Sequence, residues 1–214
     1  MVNLMPATLA RYACVALIGS VVGLMVACKP TAVEGIQNAD IIFQTSQSPQ
    51  SQAIQLATHS PYSHVGIIFF KQDKAYVFEA KATVGFTPLE EWIQRGVGGH
   101  YVVKRLNNLK SIATEQTKGK VIEFIKKYKG RPYDFYFEWS DEKIYCSELV
   151  WKMYDKALGV KLGELQKLGE FDLSKPAVQA KLHERFGDQI PLNEEVISPA
   201  AIFDSKQLVT VKTQ

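Results

Sequence analysis

The chain has 214 residues, enough for one sizeable domain or one domain with a small appendage. Its 46% hydrophobic and 22% charged residues are ordinary for a globular protein with a real core. The net charge is +3, only Arg11 falls in the first 27 residues, and no basic run exceeds Lys126-Lys127, which excludes the concentrated cationic footprint of a nucleic-acid binder.

Residues 12–27 are uncharged and mostly apolar, short for a bilayer-spanning helix and long enough for the apolar core of a secretory signal. The stretch ends in Leu24-Met25-Val26-Ala27-Cys28, which resembles the lipobox of bacterial lipoproteins, with Met25 standing where leucine is usual. That resemblance implies a signal peptide over 1–27, cleavage before Cys28 and acylation of Cys28. With Lys29 rather than an aspartate next, it also implies a place at the outer membrane, facing the periplasm. An ordinary signal peptide or an uncleaved anchor is the alternative. Residues 28–38 read as a tether and 39–214 as the folded domain.

Within the domain, 39–44 is a short apolar strand and 46–58, rich in serine and glutamine, a loop with a short helix. The strand 63–70 carries His64, Gly66, Ile68 and Phe70 on one face and Val65, Ile67 and Phe69 on the other; both faces are apolar, so it is central. A further strand, 75–82, follows across a turn-like Lys71-Gln72-Asp73-Lys74. A short helix is predicted over 88–94, a strand over 101–106, and a helix over 114–128 stopped by Gly130. Residues 145–158 form a helix ending at Gly159, and 174–186 a third one, with Ser174 as N-cap and Pro176 in its first turn. A closing strand covers 207–212. Strands and helices are partly segregated, which makes the domain α+β.

If Cys14 leaves with the signal and Cys28 is the acylated terminus, Cys146 is the one thiol of the domain and no internal disulfide forms. Cys146 begins a helix, where unpaired N–H groups and the positive helix end favour the thiolate. A buried inert cysteine is the alternative reading. Among the four histidines, His64 opens the central strand, where a polar residue demands a reason; His59, five residues earlier, makes no common metal-ligand spacing with it, so no metal or other cofactor is expected. Glu79 interrupts an apolar strand next to that of His64 and would orient the imidazole if the two strands pair, unless it is a solvent-facing edge residue. Glu148 reads as a complement to the helix dipole rather than as a partner of the thiol.

Four segments occur in a telling order: Asp40-Ile41-Ile42-Phe43, Ser63-His64-Val65-Gly66-Ile67, Phe78-Glu79-Ala80 and Tyr145-Cys146-Ser147-Glu148-Leu149-Val150. Together they resemble the circularly permuted branch of the NlpC-type, papain-like cysteine hydrolases, in which the histidine strand precedes the cysteine helix. The resemblance covers about residues 39–212. It implies an antiparallel sheet or half-barrel packed against the nucleophile helix, with Cys146, His64 and Glu79 as the triad. It also implies Tyr133 as an oxyanion-hole candidate, against the alternative of a packed loop aromatic. The expected substrate is a cell-wall peptide amide, which fits an envelope location, or a lipid-like amide or ester, which fits the five aromatics within 133–139 unless these are a strand or loop covering the core. A non-catalytic envelope lipoprotein that binds lipid or peptide in the same cleft is the competing class.

Overall fold

A computed structural model describes residues 32–214; the apolar stretch 12–27, Cys28 and the start of the tether lie outside the described residues. The centre is a six-stranded sheet in the order β4-β3-β2-β1-β5-β8, antiparallel throughout. Its strands are β1 (Ile41–Gln44), β2 (His64–Lys71), β3 (Lys74–Ala80), β4 (Val84–Pro88), β5 (Val102–Leu106) and β8 (Leu208–Thr213). A two-stranded ribbon pairs β6 (Gln166–Lys167) with β7 (Glu195–Val196). Around these lie α1 (Ser51–Thr58), α2 (Leu89–Gln94), α3 (Leu109–Ile112), α4 (Glu115–Tyr128), α5 (Cys146–Met153), α6 (Pro176–Phe186) and α7 (Pro199–Phe203). No helix among the described residues is long and apolar enough to cross a membrane.

The double-sided apolar pattern of β2 is realised as two cores, one on each face of the sheet. Val65 and Ile67 join Phe43, Phe78 and Leu149 of α5 on the first face. Ile68 joins Ile42, Val77 and Trp92 of α2 on the second. A smaller third core joins α6, through Val178 and Leu182, to Ala53 and Leu56 of α1, so the 161–193 region covers one flank of the domain. Burying a large apolar side chain is worth roughly 1.5–3 kcal/mol, so these layers hold β2 and α5 in fixed relation.

Helix α4 opens with a reciprocal cap: the Thr117 N–H donates to Thr114 Oγ1 at 3.2 Å, and Thr117 Oγ1 accepts from the Thr114 N–H at 2.9 Å. Helix α5 continues as a π-helical turn over Tyr154–Leu158 and stops at Gly159, whose φ of 70° suits glycine. The third predicted helix starts later than its sequence indicated. Lys175 is the N-cap residue and Pro176 takes the first helical position, while the Ser174 hydroxyl donates to Asp172 instead of capping. Proline has no N–H to be capped there, so the helix opens without a hydroxyl.

Strand β4 was not legible in the sequence, because Gly85 and Pro88 break its alternation within five residues. It matters twice. Pairing of Glu79 with Gly85 flanks that carboxylate on one side with a residue lacking a side chain. On the other side, continuing the Ile67–Phe78 register sets Gly66 opposite Glu79. A Cβ on Gly66 would lie 2.3 Å from Val77 Cγ1 and 3.1 Å from the Phe78 carbonyl oxygen. Gly66→Ala is therefore expected to destabilise the fold by about 1–3 kcal/mol, through overpacking against a stiff valine and a backbone carbonyl. The measurement is the urea midpoint; an unchanged midpoint contradicts this account of the hairpin.

Candidate active site

The base arrives on β2, the carboxylate on β3 and the thiol at the first position of α5. His64 and Gly66 share the sheet face of Ile68, whereas α5 packs against the opposite face. The two sides meet where the β2–β3 ladder gives out: its first paired residues are Ile67 and Phe78, and the N–H of Val65, two residues earlier, points at the sulfur of Cys146. The Ser147 N–H, at the open end of α5, also points there. Cys146 itself is 3% exposed, yet it faces a cavity rather than closed packing.

Glu79 is 1% exposed and fully employed. Its Oε2 accepts from His64 Nε2 at 2.6 Å and from Trp92 Nε1 at 3.1 Å; its Oε1 accepts from Thr87 Oγ1 at 2.6 Å and from the Arg95 guanidinium. Burial alone raises the pKa of this carboxyl, but the bonds and charges of His64, Thr87 and Arg95 outweigh it and bring it down to about 2. With Nε2 committed to Glu79, Nδ1 is the nitrogen of His64 left to face Cys146. The Trp92 ring lies over the imidazole, 5.9 Å between centroids and 26° between planes.

Thiol and imidazole shift each other. Burial disfavours the imidazolium, and the bonds and charges of Cys146 and then Glu79 more than offset it, so His64 rises to about 9. Burial also disfavours the thiolate, and His64 with the Val65 and Ser147 N–H groups more than offsets that, so Cys146 falls below an ordinary thiol. Each group thus favours the charged form of the other, and the pair is biased toward thiolate and imidazolium.

Residues 130–133 continue the sheet edge: Val84 donates to the Arg131 carbonyl at 2.8 Å and Tyr133 to the Ala82 carbonyl at 3.0 Å. This delivers the Tyr133 side chain, 8% exposed, to the cavity that Cys146 lines. Gln50 Nε2 donates to Tyr133 Oη at 2.9 Å, and Gln50 Oε1 in turn accepts from Arg185 of α6. Burial and the neighbouring Cys146 push the Tyr133 hydroxyl far above its ordinary pKa, so it remains a donor. Gln50 and Arg185 carry no sequence signal of their own, since each is brought in by α1–α6 packing. Thr87, Trp92 and Arg95 were equally unmarked; only the unpredicted β4 and the helix after it bring them to Glu79.

The other histidines stay apart. His59 pairs with Asp172 at 3.4 Å, His183 lies 3.7 Å from Asp188, and His100 is exposed. Glu148 is buried, accepts from the Tyr145 N–H at 3.3 Å and pairs with Lys152 at 2.7 Å, so it caps and braces α5 without touching His64.

Two hollows adjoin the pair. A cavity of about 110 Å³ opens at Cys146, with apolar walls that include Ile54, Leu168, Phe171, Leu182 and Ile197. A larger cleft of about 700 Å³, of mixed polar and apolar lining, opens on the His64 side and includes Gln44, Ser46, Ser63 and Arg95. Tyr133, Gln50, Lys181 and Arg185 border both.

Glu79→Gln tests this electrostatic chain. Removing the carboxylate charge lowers the His64 pKa from about 9 by a unit or more, read by histidine NMR titration. The folded Glu79 pKa of about 2 lies below its ordinary 4.5. Its contribution to stability is therefore complete above pH 4.5 and lost as pH falls through 2. Acid unfolding across that window should be shallower in Glu79→Gln than in the parent; equal slopes contradict the assignment.

The relatives fit this architecture. Over 175 residues the chain is 55% identical to the uncharacterized protein YiiX of Escherichia coli strain K12, covering 82% of this chain and 85% of that protein. A crystal structure described as metalloprotein yiiX from Escherichia coli O157:H7 superposes with a TM-score of 0.79 at 53% identity, covering 84% of this chain and 98% of that one. Among the described residues here, no group of three or more His, Cys, Asp or Glu side chains is placed to hold a metal ion. Glu79, the carboxylate beside His64, already accepts four N–H or O–H donors, a guanidinium among them, and so does not fit a cation. The model of the permuted papain-like amidase family (YaeF/YiiX, C92) matches residues 35–212, and with the histidine strand ahead of the cysteine helix this protein belongs to that family.

Proposed function

We propose that this protein is a cysteine hydrolase of the cell envelope that cleaves an amide or ester bond next to a long apolar acyl group, with Cys146 as nucleophile, His64 as base and Glu79 as orienting carboxylate. The observation that carries the reading is the apolar cavity opening at a thiol that lies beside a carboxylate-held imidazole. Of the two substrate classes, the lipid-like one is favoured, because a cell-wall peptide offers little to apolar walls of this kind.

His64 takes the thiol proton, and the sulfur attacks the carbonyl carbon. The carbonyl oxygen takes the negative charge against the N–H of Cys146 at the helix tip and the Tyr133 hydroxyl. The bond from carbon to the leaving nitrogen or oxygen breaks, and His64 gives that atom its proton. Water then loses a proton to His64 and attacks the thioester; the C–S bond breaks and a carboxylic acid departs. The acyl chain occupies the cavity beside Cys146, and the leaving group lies in the cleft beside His64.

Three measurements test this. Cys146 should react with iodoacetamide faster at pH 7 than an ordinary thiol. In His64→Ala the rate should fall at pH 7 and follow an ordinary thiol titration. A slow reaction that His64→Ala leaves untouched favours the non-catalytic binding module. Purified protein incubated with muropeptides and with N-acyl amino acids should release product from the acylated set; cleavage confined to muropeptides reverses the substrate assignment. Tyr133→Phe should lower kcat by roughly 10- to 1,000-fold while iodoacetamide reactivity persists, and an unchanged kcat removes the tyrosine from the mechanism.

We further propose export, lipidation at Cys28 and residence at the outer membrane facing the periplasm. Cys28→Ala should accumulate as an unprocessed precursor of higher mass; normal processing rejects the anchor.

A further inference from the structure

The cleft on the His64 side has a charge imbalance that the triad does not use. Its lining carries four cationic side chains, Lys81, Arg95, Lys181 and Arg185, against one carboxylate, Glu184. Arg95 is spent on Glu79, and Lys181 pairs with Glu184 at 2.5 Å. That leaves Lys81 and Arg185. Lys81 is exposed and makes no ion pair among the described residues. Arg185 is half-buried, lies 4.7 Å above the Phe137 ring and donates to a neutral amide, Gln50. No carboxylate stands at ion-pair distance from it among the described residues; Asp134 and Glu184 act on it only at longer range. A guanidinium drawn out of water without a carboxylate partner, on the border between the apolar cavity and the cleft, is costly to maintain for packing alone. It also offers a planar fork of donors suited to an oxyanion.

We propose that Arg185, with Lys81 on the same cleft, binds a fixed negative charge on the leaving group, so that the substrate class is acyl amides or esters whose head carries a carboxylate or phosphate. This rests on the hydrolase reading only for which fragment occupies the cleft. The α6 helix thereby becomes part of the recognition site, and Arg185 also reaches the oxyanion tyrosine through Gln50.

The test separates recognition from turnover by using full-length Cys146→Ala protein and isothermal calorimetry. The ligands are N-lauroylglycine, uncharged N-lauroylglycinamide and N-lauroyl phosphoethanolamine. At least one anionic ligand should bind about tenfold or more tightly than the amide, and the tighter of the two identifies the head group. Arg185→Gln should reduce the discrimination to less than about twofold with amide affinity kept, and Arg185→Lys should retain part of it. Equal binding of all three ligands, no binding of any, or discrimination that survives Arg185→Gln overturns the proposal. If Arg185→Gln does not fold, Lys81→Gln decides, and undiminished discrimination in that variant overturns the two-cation site. A parent protein that hydrolyses none of these ligands while Cys146→Ala discriminates as expected would reject the hydrolase reading and leave the anion site standing.

Discussion

A carboxylate placed inside a sheet must be given donors or be protonated, and the fold around Glu79 answers with four. The loss of hydration at 1% exposure is offset by an imidazole, a hydroxyl, an indole N–H and a guanidinium. Removing one partner of such a buried network costs about 3–5 kcal/mol in comparable systems, so the arrangement is rigid. The ring of His64 is accordingly held in one orientation, with Trp92 over its face and one nitrogen turned to the sulfur.

The room for this network is made by missing side chains. Gly66 and Gly85 flank Glu79 on its two neighbouring strands, and a Cβ on Gly66 would meet Val77, the Phe78 carbonyl and the Glu79 Cβ. The sulfur obtains its own donors by a related device. Where β2 and β3 cease to pair, the N–H of Val65 turns to Cys146 and joins the N–H of Ser147 at the helix tip. Imidazole and thiol therefore come from opposite faces of one sheet and meet where the strand ladder begins.

The surroundings are as asymmetric as the pair. Apolar walls built from α1, α6 and the nearby connections meet the thiol, while polar side chains meet the imidazole. Tyr133, held by Gln50 and through it by Arg185, stands on the boundary. The region 161–193, which shows no motif in the sequence, supplies half of that boundary by packing α6 on α1.

The central strand, the helix beginning at Cys146, the order of histidine before cysteine, and the lone polar residues His64 and Glu79 in apolar strands were all legible in the sequence. Period-two alternation and helix stop signals are local, and a charged residue inside an apolar strand is conspicuous wherever the chain folds. What no local pattern contains is which strand lies beside which. Thr87, Trp92 and Arg95 acquire meaning only through the β3–β4 pairing, and Gln50 and Arg185, 135 residues apart, only through the contact of two short helices. The two hollows are likewise products of packing, since a cavity is the space that side chains from distant segments jointly leave open. The candidate groups, Cys146, His64 and Glu79, could thus be picked out along the chain, whereas their partners and the shape of the hollows beside them were decided by long-range contacts.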